Sequence, residues 1–350
     1  MRTLKVFLKR AVCLAAAVLL AGGAVFSASA DEVVFNNLKE VRKYIEKNSP
    51  MDLDLGTLRV SPAELAEIES LLPEGAKLRF CTKYCGTVIS DTDEIIDLNE
   101  GDTFVRVSDL ETLIRLIPGV KKVVVSNHKN LTNNQMIPLL EKYPDIEFVW
   151  KVSLSSAYRV NSDATAFTTN KSEKDGYKLH SSDMYALKYV KGLKALDIGH
   201  CAITDLDFLK GLDLELLILS DNKVTDISIL AEMPHLQFLE IFRNNIEDIS
   251  PLAACTELID LNIAITKVTD LTPLDSCTKL ERLWLCTTMQ TKVPSEENKE
   301  HFRSTHPNCF MRDNLYHPTS HEWREHPRYE FYRKNLLSRT WIPFSEMDNQ

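Results

Sequence analysis

The chain has 350 residues, 26% charged and 44% hydrophobic, with a net charge of −9. Removing Arg2, Lys5, Lys9 and Arg10 with the first thirty residues would leave about −13, which argues against general nucleic-acid binding and against adhesion to anionic lipid. Seven cysteines follow residue 30; the number is odd and the chain is long enough to bury a core without staples, so no disulfide framework is implied.

The four basic residues precede an apolar run from Ala11 to Val25 and the small residues Ala28-Ser29-Ala30 before Asp31. This is the pattern of a secretory signal peptide cleaved after Ala30. The run falls short of the ~20 residues that span a bilayer, so an uncleaved anchor is the lesser reading, and no membrane insertion is expected after cleavage.

Residues 31–150 read as loose strand–helix units. Ser61-Pro62, Ser108-Asp109 and Thr132 open helices that end before Pro73, Pro118 and Pro144, and the apolar strands Leu78–Phe80, Val120–Val125 and Ile146–Trp150 follow. Residues 151–182, rich in Ser, Thr, Asn, Lys and Asp, read as a connector or insertion.

From 183 to 290 the chain is self-similar. Leucine, two residues, leucine, one residue and leucine or isoleucine recur from Leu193, Leu214, Leu236, Leu258 and Leu280. In register follow Cys201, Asn222, Asn244, Thr266 and Thr288, then Asp205, Asp226, Asp248 and Asp270, then Leu209, Leu230, Leu252 and Leu274. Asp207, Ser228, Ser250 and Thr272 suit helix caps, with Pro251 and Pro273 one residue on. A helix from Ser295 to His306 and a strand Cys309–Met311 begin a capping unit and tail at 291–350.

This pattern resembles the leucine-rich-repeat family, in the 22-residue internalin type found on bacterial surfaces. The tail from Trp323 resembles exported leucine-rich-repeat proteins of gut Firmicutes. The resemblance implies an α/β solenoid with a parallel β-sheet on the concave face, short helices or 3-10 turns on the convex face, and a binding protein rather than an enzyme.

No cofactor or metal site is expected. His321 and His326 are five apart, not the four that one face of a zinc-binding helix needs, and Cys81 and Cys85 lack the second pair of a zinc knuckle, which leaves a local disulfide or two thiols. Cys255 and Cys277 share one repeat slot and read as core, and Asn130-Leu131-Thr132 and Asn170-Lys171-Ser172 read as incidental matches to the glycosylation pattern.

The outward positions of each strand hold Leu216, Ile218, Phe238, Glu240, Phe242, Arg243, Arg282 and Trp284. Large apolar groups with a charged rim on a face expected to be polar point to a partner-binding surface for a protein or peptide. A cell-envelope scaffold for glycan or cell-wall polymer is the second reading and an enzyme the third. The competing expectation for the face is that the 151–182 connector or the C-terminal tail folds over it.

Overall fold

The computed structural model describes residues 33–100, 104–169, 179–286, 293–313, 318–319 and 321–349. The signal segment, the acceptor sequence at Asn170 and the repeat position Thr288 lie outside the described residues. The chain forms two compact units, one of residues 1–59 and 68–81, the other of 60–67 and 82–350.

In the first unit, helix α1 (Leu38–Asn48) buries Val41 and Ile45 and is capped by Asn37, whose side chain accepts the Glu40 N–H. Strand β1 (Asp52–Asp54) pairs in parallel with β2 (Lys77–Arg79). Sequence reasoning missed α1 and β1, because a three-residue strand with an aspartate at each end shows no apolar alternation. Helix α2 (Pro62–Leu71) carries a reciprocal cap: the Glu64 N–H donates to the Ser61 hydroxyl and the Ser61 N–H to the Glu64 carboxylate.

Strand β3 (Cys81–Tyr84), whose first residue is the last of the first unit, and β4 (Thr87–Ser90) are joined through the left-handed residues Cys85 and Gly86. Next, β5 (Ile95–Asp97), β6 (Lys122–Val124) and β7 (Glu147–Val149) form a three-stranded parallel sheet. Helices α3 (Val107–Leu116) and α4 (Asn133–Lys142) form the crossovers. The amide of Asn130 donates to the carbonyl of Val105 at 2.7 Å.

Residues 151–169 and 179–182 hold more regular structure than a connector implied. They supply an antiparallel hairpin, β8 (Lys151–Ser153) with β9 (Arg159–Asn161), then β10 (Ala166–Thr168) and the short helix α5 (Ser181–Met184). Strand β10 is the first of a seven-stranded parallel sheet with β11 (Ala195–Asp197), β12 (Leu216–Ile218), β13 (Phe238–Glu240), β14 (Asp260–Asn262), β15 (Arg282–Trp284) and β16 (Phe310–Arg312). Its small, polar residues concealed it, since only Phe167 stands where the repeats place leucine.

Strand pairing is in register, so equivalent residues form rows across the sheet. The middle row runs Phe167, Leu196, Leu217, Leu239, Leu261, Leu283, Met311, and all but Met311 are buried. Each such leucine removed from water contributes roughly 1.5–3 kcal/mol, which no single repeat could secure alone.

Behind each strand the chain turns at a buried ladder. The Asn222 side chain donates to the carbonyls of Ile198 and Leu219 and accepts the Ile203 N–H, and Asn244 repeats this one layer on. Thr266 keeps one such bond, to the Ile263 carbonyl. Short 3-10 helices follow, at Ser228–Glu232, Ser250–Ala254 and Thr272–Ser276. The caps expected at Ser228, Ser250 and Thr272 are displaced by two residues: Asp226, Asp248 and Asp270 accept the N–H groups of those residues at 2.7–2.9 Å. A carboxylate two residues back reaches that N–H as an Asx turn, which a hydroxyl does more weakly.

Past the repeats, Ser295 caps α6 (Glu296–Thr305). Helices α7 (His321–Arg324) and α8 (Pro327–Ser338) and a 3-10 turn at Phe344–Asn349 complete the chain. No helix among the described residues is long and apolar enough to cross a membrane.

Candidate functional site

Strand geometry sends the two residues flanking each middle-row leucine to the other side of the sheet. One outward row therefore runs Ala166, Ala195, Leu216, Phe238, Asp260, Arg282, Phe310, and the other Thr168, Asp197, Ile218, Glu240, Asn262, Trp284, Arg312. From β10 to β15 these rows are not open to solvent, because the C-terminal segment lies across them; on the edge strand β16, Phe310 is exposed.

Phe238 is 4.6 Å from Tyr332 and 5.4 Å from Trp323, ring centre to ring centre, and Trp284 is 5.0 Å from Trp323. Leu216, Ile218, Phe242 and Trp284 join Trp323, Tyr332, Leu336, Trp341 and Phe344 in one apolar cluster. The expectation that Leu216, Ile218, Phe238, Glu240, Phe242, Arg282 and Trp284 stand exposed as partner anchors is thus corrected: all seven are buried, and of that set only Arg243 is exposed. A face with this much apolar surface gains more by being covered than by facing water, and the tail supplies five aromatic groups to the cluster, Phe331 included.

The cover is also polar. Asp260, fully buried, accepts two guanidinium groups: Arg282 from the neighbouring strand at 2.7 and 2.8 Å, and Arg328 from α8 at 2.8 and 2.9 Å. Burial pushes the Asp260 carboxyl up, but the paired arginines outweigh it and hold it below the usual carboxylate range. The Arg282 guanidinium also lies over the Trp323 ring, 4.4 Å from its centre.

On the other row, Asp197 accepts from Arg333 of α8 at 3.1 Å and from the Thr168 hydroxyl at 2.8 Å. Glu240 accepts the Trp323 indole N–H at 2.6 Å and the Tyr332 hydroxyl at 3.1 Å on one oxygen, and the Ser220 hydroxyl at 3.3 Å on the other. Burial, with Asp197 adding to it, outweighs these donors and pushes the Glu240 carboxyl up to about 7. Nearer the C-terminus, the Trp341 indole donates to Glu215 at 2.7 Å, and the Asn262 amide reaches the Pro318 carbonyl at 2.6 Å.

Arg243 lies on the uncovered rim with His200 and Asp221: His200 is 2.8 Å and Arg243 3.8 Å from the Asp221 carboxylate. A crevice beside this rim, with room for about 50 Å3, is lined by Asp197, His200, Glu240, Arg324 and Arg333 among others. His321 and His326 belong to a segment whose centre, Trp323, is completely buried. No group of three or more metal-binding side chains occurs among the described residues. The seven cysteines from Cys81 to Cys309 are free thiols, and burial raises those of Cys255 and Cys277 to about 12 and about 11.

Sequence reasoning placed Asp197 and Asp260 on the outward face without giving them a role, raised the tail from Trp323 as a possible cover, and missed Arg328, Tyr332 and Arg333. The usable signal was an acid in the outward slot of three strands, beside a tail that carries arginines and aromatics.

A family model described as leucine-rich repeats, two copies, matches residues 213–254. Solved structures similar to the chain include internalin C2 of Listeria monocytogenes, at 26% identity and a TM-score of 0.30, covering 41% of this chain and 71% of that one. A second internalin of that organism, inlF, has 15% identity and a TM-score of 0.36, with 84% and 88% covered. The functional domain of InlJ, also from that organism and including a cysteine ladder, has 17% identity and a TM-score of 0.36, with 65% and 55% covered. No curated protein matches the chain.

Proposed function

We infer that this chain, a leucine-rich-repeat protein, is a binding module that recognises a protein partner outside the cytoplasm, with the outward sheet face and its rim as the recognition surface. Stacked repeats give a long, regular surface on which each strand contributes two outward side chains. The observation that carries the reading is the C-terminal segment itself. A helix already lies on this face, and its Arg328, Tyr332 and Arg333 each meet an acid of the sheet. That is how a helix is held in a groove, by apolar anchors for affinity and polar pairs for register.

The face would have to be uncovered to act on a partner, with Arg243, His200 and Asp221 accessible before that step. Export rests on the residues before Asp31, and sequencing the mature N-terminus should give Asp31 first. A glycan-binding role would call for a row of exposed aromatics, whereas Phe238, Phe242 and Trp284 lie under the tail.

A photo-reactive residue placed at Arg243, with a control at Thr256 on the far turn, tests the surface in intact cells. A partner attached through position 243 and not through 256 is expected. Attachment through 256 alone would move the recognition surface off the sheet.

A further inference from the structure

The layer between sheet and tail is not assembled as a purely structural core would be. Over β11–β15, Asp197, Glu240 and Asp260 bring three acids to one face, against one cation of those strands, Arg282, and all four are nearly or completely buried. Burying ion pairs gains little stability over apolar residues of the same size, because desolvation offsets the attraction. What such buried charges can add instead is discrimination, since an occupant without the complementary groups would leave them unpaired.

The complementary groups are specific. Arg328 fits Asp260 with both ends of its guanidinium, Arg333 reaches Asp197, and Tyr332 reaches Glu240. Arg328 and Tyr332 are four apart on α8, so a helix sets them about 6 Å apart on one face, close to the ~4.8 Å between the neighbouring strands that carry Asp260 and Glu240, whereas an extended chain would set them about 13 Å apart.

The seated tail is also an imperfect ligand. The Trp284 indole N–H, buried beneath it, has no hydrogen-bond partner among the described residues, nor does one guanidinium nitrogen of the tail's own Arg339, which is held in the left-handed region at φ 64. A buried donor without an acceptor weakens the state that contains it. The tail nevertheless holds its place through its covalent tether, which gives it an effective concentration on the order of millimolar.

We propose that the outward face of β11–β15 is a groove selective for a helical protein segment bearing arginine and aromatic N–H or O–H donors, and that residues 321–344 occupy it as a tethered competitor. The proposal rests on reading the sheet face as the recognition surface and adds the chemistry of the partner: a basic, aromatic helix, with an acceptor against Trp284 as the feature the tail lacks.

The test uses a fluorescent synthetic peptide of residues 321–345 and the full-length chain. The R328A/R333A chain, with the docking of its tail weakened, should bind the peptide at least tenfold more tightly than the parent chain. Adding D197N and D260N should return the affinity to the parent level or below. A folded R328A/R333A chain that binds no better than the parent overturns the proposal, as does binding indifferent to D197N and D260N. Should the variants fail to fold, the isotope-labelled parent decides: excess unlabelled peptide is expected to shift the amide resonances of 327–338, a scrambled peptide not to, and no shift with either overturns it. Peptide binding through these acids without any partner cross-linked through position 243 would leave the groove chemistry intact and defeat the cellular role.

Discussion

Glu240 is the residue on which the covered face is most sensitive to conditions. Burial raises its carboxyl from 4.5 to about 7, so the folded state binds the proton more tightly than the unfolded chain does. Its contribution to stability is therefore full below about pH 4.5 and is lost as pH rises through about 7, a swing on the order of 3 kcal/mol. His326 acts in the opposite sense: burial and then the neighbouring Arg282 and Arg328 lower its pKa, so it takes stability away as pH falls through 6.5. Comparison with Glu240→Gln isolates the carboxylate. The parent chain should lose stability relative to that variant between about pH 3.5 and about pH 8, and a difference in melting temperature that stays flat with pH would contradict it. Phe238 gives a second prediction at this scale. As a fully buried ring between Trp323 and Tyr332 it should cost about 3–5 kcal/mol when replaced by Ala, where an exposed anchor would cost little. Denaturant unfolding measures the difference.

At the scale of the repeat, the side-chain amide at the end of the strand matters more than the turn cap. Asn222 satisfies three buried backbone groups across two layers, whereas Asp226 accepts one exposed N–H. Asn222→Ala should cost about 2–4 kcal/mol and Asp226→Ala about 1 kcal/mol; the reverse order would refute the account. These elements were legible because their pattern is local. Leu214, Leu217 and Leu219 fix a strand, Asn222 ends it, and the next copy repeats both within 22 residues. Strand β10 was hidden because Ala166 and Thr168 carry no leucine signal, and the final strand, expected at Cys309–Met311, lies one residue on, at Phe310–Arg312.

The tail's position was illegible for a different physical reason. Arg333 meets Asp197 across 136 residues and Trp323 meets Glu240 across 83, and no periodicity encodes a contact between a repeat and a segment that does not repeat. Sequence showed that the outward face was too apolar to be a plain surface, and which residues made it so; a partner and a cover satisfy that observation equally well.

For the whole molecule, the central claim is that the C-terminal segment occupies a recognition surface on a solenoid that is stable without it. Segments held by fewer buried contacts open at lower free energy than the core to which they dock. Hydrogen exchange of the full-length chain, followed by mass spectrometry, measures both parts at once. In the R328A/R333A variant, amides of 323–344 should exchange at least tenfold faster than in the parent, while those of Leu216–Ile218, Phe238–Glu240 and Asp260–Asn262 keep their protection. Loss of protection in the strands together with the tail would show that the two unfold as one core, and would contradict the account.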